Sequence, residues 1–487
     1  MLASISQTTS PIDLSTQPSH ILVIFPKLEK LPKKYSIPGE IVLEKLLLRR
    51  GMQLSDLIKT PVSSNLEHGE LCTWAMLDNE LSVFEQYECL RKGLKFLLAE
   101  NPAEIHISVH GTSPQRKLFS ELVIYVAWIN GVILPIRKSE PAKKPLKKIH
   151  LHNYEDEDGF LLQRAVAEGN LLARGLTMLP PNELTPKTYR EQIKRLAESE
   201  GWKYQEFDFD TLKQMGAGAF VAVAQGSSNP NDAAIVHLQN TCNGGGAKKH
   251  VAIVGKGICF DTGGHNLKSA RYMQGMHEDM NGSAVALGIL LAAARAEIPV
   301  QIDCWLAIAQ NHLSPNAYKQ NDIIAALNKT SIEIVHTDAE GRLVLADTLN
   351  LAANLKPNLI IDFATLTGSM VTAIGSRYSG VLTNREDLAQ RAITAGKLSG
   401  ERVCLFPMDK DYEEDLESEV ADIKQCTLDS NFDHILAARF LSRFVNDVPW
   451  LHMDLSASNH KGGLGAVDSD ITGFGVHWGV EFLKTLR

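Results

Sequence analysis

The sequence has little of what would staple, anchor or unfold a chain. Its seven cysteines (72, 89, 242, 259, 304, 404 and 426) are odd in number and contain no C-x-x-C pair. That argues against a disulfide framework or a thiolate zinc site and for a reducing compartment. No basic segment followed by an apolar run opens the chain; the first lysine is Lys27, and Asp13 precedes it. Neither a secretory signal nor an Arg-rich transit peptide is therefore expected. The longest apolar stretch, Leu122 to Ile136, is about fifteen residues, is broken by Asn130-Gly131, and is too short to span a bilayer. No G-x-G-x-x-G or P-loop pattern follows a strand-like run, and Gly244-Gly245-Gly246 reads as a flexible surface turn. There is no internal repeat and no low-complexity tract. The chain reads as soluble and cytoplasmic.

What is present is ordinary in bulk and uneven in charge. The 487 residues are 44% hydrophobic, 22% charged and 7% aromatic, close to the globular average, which excludes disordered, collagenous and coiled-coil proteins. Such a length suggests two to four domains, or two large ones, and can bury a core without disulfides. The net charge is −8. The first 154 residues hold 19 basic and 15 acidic side chains, and the rest hold 30 and 42. The acidic C-terminal two-thirds is a poor partner for nucleic acid or anionic membrane. Its carboxylates are either solvated surface or cation holders, and composition does not choose between the two.

The charge shift marks a boundary near residue 150. Pro135 to Lys148 contains three prolines and the basic run Lys143 to Lys148, followed by Glu155-Asp156-Glu157-Asp158; this reads as an exposed connector. Before it, apolar runs (His20–Phe25, Ile105–Val109, Leu122–Trp128) alternate with helical stretches such as Val83–Leu98, giving a small N-terminal α/β domain over residues 1–150. Residues 151–180 read as a linker helix that stops at Pro180-Pro181. Residues 181–487 read as a second, larger domain. Within it, Thr185-Pro186 is a helix start, with an N-cap and proline at the first position, and Gly201 is the stop. Apolar strands at Ala233–Leu238, His250–Val254, Ile302–Ala309, Ile332–Val335 and Leu359–Phe363 alternate with helices, including the small-residue helix Gly282–Ala296. The fold class expected is α/β, two domains, the larger built on a mostly parallel sheet flanked by helices.

Chemistry concentrates in two segments, each at the end of an expected strand. The first runs from Lys256 through Asp261-Thr262-Gly263-Gly264 and Lys268 to Met276-His277-Glu278-Asp279. The second is His336-Thr337-Asp338-Ala339-Glu340-Gly341-Arg342-Leu343. Ligand sites in open α/β sheets gather at the carboxyl ends of strands, so Asp261, Asp279, Asp338 and Glu340 are expected in one place. Four packed carboxylates repel unless cations compensate, and such oxygen-rich sites suit Mg, Mn or Zn. A lysine among them can stabilise an oxyanion or, once its pKa is depressed, coordinate metal. A metal-dependent phosphoesterase would share the carboxylates but would not account for Lys256 as a ligand. Any one of these residues alone reads as a surface ion pair; the full set in two loops does not.

The string Thr337-Asp338-Ala339-Glu340-Gly341-Arg342-Leu343 resembles the signature of the leucyl (cytosol) aminopeptidase family of metallopeptidases. The segment Lys256…Asp261…Lys268…Asp279 is similar to that family's other metal-binding block. Asn182-Glu183-Leu184-Thr185-Pro186, Asp362-Phe363-Ala364-Thr365-Leu366-Thr367-Gly368 and Thr472-Gly473-Phe474-Gly475-Val476 also fit. The resemblance runs from about residue 165 to the end. It implies two divalent metals per subunit (Mn2+ or Zn2+), one held by Asp261, Asp338 and Glu340, the other by Lys256, Asp261, Asp279 and Glu340. It further implies that Lys268 polarises the scissile carbonyl, that Arg342 holds a bicarbonate ion acting as general base, and that Met276, Thr365 and Gly368 line the substrate pocket. Peptides with a free N-terminus would be the substrates and a homohexamer the assembly. A DNA-binding role, known for some members, is supported here only by the basic N-terminal region.

The sequence departs from the pattern at several positions. His336 stands where Asn is usual and His277 where Lys or Arg is usual; a packing or supporting role for both is favoured, because five metal ligands are already present. Ser269 replaces a proline and Asn281 a glycine. Asn431-Phe432-Asp433-His434 replaces a glycine pair, and Asp454 to His460 replaces an apolar run. Both stretches are implied to lie near the pocket, so a side-chain preference altered from leucine is expected; one methylene-sized change is worth roughly 1–3 kcal/mol of discrimination.

Overall fold

The computed structural model describes residues 1–487 except 33–34, 140–142, 241–248, 430 and 487. Cys242 and the turn at Gly244–Gly246 lie outside the described residues. The chain forms two compact units. The first comprises Met1–Glu168 with Lys397–Gly400 and Lys461–Thr472, and the second Gly169–Gly396, Glu401–His460 and Gly473–Arg487.

The first unit is a six-stranded sheet of β1 (Ser4–Thr8), β2 (His20–Pro26), β3 (Val62–Asn65), β4 (Leu71–Leu77), β5 (Glu104–Val109) and β6 (Lys148–His152). Their order is β1-β6-β5-β2-β4-β3, and every pairing is parallel except β3 with β4. This unit extends past the boundary expected near 150. The reason is β6, which follows the basic run and pairs with both β1 and β5, keeping the chain in the first sheet. Leu122–Trp128, grouped above with the strand-like runs, lies instead in the helix Ser113–Asn130. A continuous apolar run suits a buried helix as well as a buried strand. Here the capping box of Thr112 and Gln115 supplies a helix start.

The second unit carries an eight-stranded sheet and a small one. The strands are β7 (Lys203–Asp208), β8 (Ala234–Asn240), β9 (His250–Asp261), β10 (Gln301–Asn311), β11 (Ile323–Ala325), β12 (Ser331–Glu333), β13 (Leu359–Ala364), β14 (Ser379–Thr383), β15 (Val403–Leu405), β16 (Ile423–Lys424) and β17 (Trp450–Asp454). The large sheet has the order β15-β14-β17-β13-β9-β10-β8-β7. Its centre, β17-β13-β9-β10, is parallel, and antiparallel pairs flank it. The helix expected from Thr185-Pro186 forms as Pro186–Glu200, with Thr185 Oγ1 accepting from Thr188 N and Gly201 at φ +71° closing it. The run Ile332–Val335 departs from expectation. Only Ser331–Glu333 is extended, and it pairs with β11 and β16 in the separate three-stranded sheet. Asp338 is therefore delivered by a loop, and Glu340 by the first turn of the helix Glu340–Asn354, not by a strand end of the main sheet. The parallel strands β9, β13 and β17 all end on the same side, at Asp261, Ala364 and Asp454, and that edge is where the site assembles.

Candidate metal centre

Strand β9 is buried almost throughout and places two site residues, Lys256 within it and Asp261 at its end. The turn after it is tight. Gly263 N donates to Asp261 Oδ1 at 2.9 Å, and Gly263 has a φ of +84° that side-chain-bearing residues rarely adopt. The short helix Met276–Met280 brings in Asp279. Glu340 stands at a helix N-terminus, where the backbone dipole favours a carboxylate.

These side chains converge. Lys256 Nζ lies 2.8 Å from Asp279 Oδ2 and 3.0 Å from Glu340 Oε1, and it donates to Asp279 Oδ1 at 2.8 Å and to the Thr365 carbonyl at 3.0 Å. Lys268 Nζ lies 2.9 Å from Asp261 Oδ2 and 2.6 Å from Asp338 Oδ1. Ligand oxygens of Asp261, Asp338 and Glu340 fall within 4.8 Å of one another. Lys256, Asp261, Asp279 and Glu340 are each less than a tenth exposed.

The electrostatics are strained in one direction. Four carboxyl groups face two ammonium groups, a formal excess of two acids in a largely buried cluster. Burial, then the neighbouring Glu340 charge, raises Asp261; burial raises Asp279 despite Lys256. Asp338 is pushed up to about 7 by burial and by the Asp261 and Glu340 charges. Only Glu340 is lowered: burial opposes its charge, but Lys256 and Lys268 outweigh it. Both lysines are held above their ordinary range, because the surrounding acids outweigh burial. Asp279 Oδ2 and Asp338 Oδ1 are shielded from solvent, each with a lysine ammonium beside it, at 2.8 and 2.6 Å. An excess of carboxyl oxygens over ammonium partners in a buried site is what divalent cations offset. The donor set fits them.

Of the other residues singled out, Thr365 is part of the cluster, its Oγ1 donating to Asp279 Oδ1 at 2.8 Å. Met276 opens the short helix that carries Asp279, and His277 follows it. Gly368 opens the helix Gly368–Ile374 and is exposed, with no atom near the position a Cβ would take. His336 braces the Asp338 loop, its Nδ1 accepting from Asp338 N at 3.1 Å. Arg342 is bonded to the chain itself. Its Nη1 donates to the Gln425 carbonyl at 3.0 Å and its Nη2 to Asp433 Oδ2 at 2.5 Å.

Asn311, missed in the sequence, ends β10 and donates from Nδ2 to Asp261 Oδ1 at 2.8 Å, to the Thr337 carbonyl at 3.0 Å and to Glu340 Oε2 at 3.3 Å. Its signal was a polar residue just past the apolar run Ile302–Ala309. Tyr318, also missed, donates to the Thr337 carbonyl at 2.6 Å.

A profile described as the cytosol aminopeptidase family, catalytic domain, matches residues 171–479. The chain belongs to the cytosol aminopeptidase family. A probable cytosol aminopeptidase of Bradyrhizobium sp. (strain BTAi1) is 36% identical over 331 residues, covering 67% of this chain and 64% of that protein. One of Stutzerimonas stutzeri (strain A1501) is 41% identical over 297 residues, covering 60% of this chain and 59% of that one. The matched part thus spans less than two thirds of these relatives. Among solved structures, the bottromycin maturation enzyme BotP in complex with Mn superposes with a TM-score of 0.83 at 26% identity, covering 96% of this chain and 99% of BotP. The family match takes in all the residues of the cluster, and cation binding by this family member fits the donor set described above.

Proposed function

We propose that this family member is a metal-dependent aminopeptidase that releases N-terminal residues from peptides. The observation that supports the reading most strongly is the buried, net-negative convergence of Asp261, Asp279, Asp338 and Glu340 around Lys256 and Lys268. Asp261, Asp338 and Glu340 would hold one divalent ion, and Lys256, Asp261, Asp279 and Glu340 a second. Bound there, such ions supply an activated water and a Lewis acid for the peptide carbonyl.

The chain's own residues do the rest. Lys268, at the open side of the cluster and less buried than Lys256, is placed to donate to the carbonyl oxygen as it becomes an oxyanion. Asn311 orients Asp261 and Glu340 together. Thr365 fixes Asp279. A free α-amine, which only a chain end offers, would be recognised by a bound cation, and that would account for exopeptidase action. Met276, Thr365 and Gly368 line the pocket for the first side chain in this reading, and Asn431 to His434 and Ser456 to His460 reshape it away from simple leucine preference. A homohexamer in the cytosol is part of the proposal. Among the described residues no helix is long and apolar enough to cross a membrane.

The test is hydrolysis of an aminoacyl-p-nitroanilide panel by the full chain, with and without Mn2+, Co2+ or Zn2+. Metal-dependent release of the N-terminal residue is expected. Inactivity across the panel with every metal would overturn the reading.

A further inference from the structure

Arg342, the cation of the signature segment, hydrogen-bonds to Gln425 and Asp433. It is about 2% exposed, and a guanidinium that deep needs an anion. The structure supplies one from the chain. Asp433 Oδ2 accepts from Arg342 Nη2 at 2.5 Å, from the first turn of the helix Asp433–Ser442. That helix start is pinned independently, since His434 N donates to Ser369 Oγ at 2.9 Å and His434 Nδ1 lies 2.9 Å from the same oxygen. Asp433 falls in the stretch where the resemblance expects a glycine pair. Glycines would leave the guanidinium open to an anion from solution; an aspartate fills the place with a tethered one.

From this we infer that Asp433 is the built-in anion of Arg342 and replaces the bicarbonate that the family resemblance implies. Two anions on one buried guanidinium repel, and a carboxylate held in place is present at an effective concentration far above that of dissolved bicarbonate. Asp433 Oδ1 is buried and has no hydrogen-bond partner, so the carboxylate keeps an acceptor for whatever polar group enters. Asp433 acts through Arg342 as a positioning residue. Its consequence is an enzyme indifferent to bicarbonate. The activity arm of the test rests on the aminopeptidase reading; the binding arm does not.

The test uses the full chain, Asp433→Ala and Asp433→Asn. In NMR of isotope-labelled bicarbonate without added metal, the wild type is expected to leave the resonance sharp and both variants to broaden it. In peptide hydrolysis in carbon-dioxide-depleted buffer with metal, the wild-type rate is expected to stay unchanged on adding bicarbonate. The variants are expected to fall roughly a hundredfold, the scale for lost positioning, and to recover when bicarbonate is added. Should Asp433→Ala fail to fold, Asp433→Asn, of the same size, carries the test. Broadening or stimulation by bicarbonate with the wild type would overturn the inference, as would variants that neither bind nor respond to it. If no form of the chain hydrolyses any peptide, the aminopeptidase reading fails while the binding arm still decides the role of Asp433.

Discussion

A Cβ on Gly341 would lie 2.6 Å from Cε and 2.8 Å from Nζ of Lys256. The lysine cannot retreat, because its ammonium is held by Asp279, Glu340 and the Thr365 carbonyl. Glycine is thus required one residue after Glu340, so that a helix can approach a buried lysine. Gly341→Ala should displace Lys256 or the helix start and cost about 1–3 kcal/mol of stability, as overpacking does. It should also lose bound metal, read as metal per chain after gel filtration. Retention equal to wild type would show that the close approach does not matter.

Asp261 and Lys268 are in contact and should nonetheless separate by function. Asp261 belongs to both proposed ion sites, so Asp261→Asn should lose metal and turnover together. Lys268 competes with a cation for Asp261 and Asp338. Lys268→Ala should therefore keep or tighten metal retention while lowering kcat by roughly a hundredfold or more, the usual cost of removing an oxyanion donor. Metal analysis beside steady-state kinetics distinguishes the two. A Lys268→Ala protein that loses metal along with activity would make the lysine structural.

Much of this was legible because it is local. The helix from Thr185-Pro186 to Gly201 needs only a cap, a proline and a glycine, all within one stretch of sequence. That Asp261, Asp279, Asp338 and Glu340 would meet was legible as well, since their types and spacing mark them out. Where the reading diverged, the deciding feature lay outside the stretch being read. Leu122–Trp128 became helix because Thr112 and Gln115 cap it from outside the apolar run. The loop carrying Asp338 hangs from a three-residue strand, too short for periodicity to register. The Arg342–Asp433 pair joins residues 91 positions apart. Asp433 was visible only as a departure, with nothing local to say which cation it meets.

Beneath the site edge, Asp362 is fully buried and accepts from Trp450 Nε1 and His452 Nδ1, each at 2.7 Å. Its carboxylate raises His452, although burial pulls the other way. Asp362→Ala would leave a buried indole N–H and a buried imidazole unpaired. The expected loss is about 3–5 kcal/mol, the scale for removing one member of a buried charged pair. Asp362→Asn should recover part of it by still accepting from Trp450. Urea unfolding followed by tryptophan fluorescence would read both, and a loss under about 1 kcal/mol for Asp362→Ala would mean that water replaces the carboxylate.

In the first unit, His110 follows β5. Its N donates to the Ile24 carbonyl at 2.8 Å, its ring lies 5.1 Å from that of Tyr35, and Nε2 lies 3.0 Å from Ser108 Oγ. Burial, then the Arg116 charge, lowers its pKa from 6.5 to about 4. The unfolded chain therefore takes up this proton first. The stability His110 permits is fully present above pH 6.5, declines as the pH falls, and has lost its full share below about 4. That share is at most about 3 kcal/mol, at 1.36 kcal/mol per unit. His110→Gln removes the titration while keeping a polar group near Ser108. Hydrogen exchange of the β2 and β5 amides, followed from pH 7 downward after correction for intrinsic rates, should show wild-type protection falling more steeply than that of His110→Gln. His106, lowered to about 4 by burial and by the His150 and His152 charges, leaves a residual slope in both proteins. The difference between the two slopes is the contribution of His110, and equal slopes would mean that the imidazole is already solvated in the folded state.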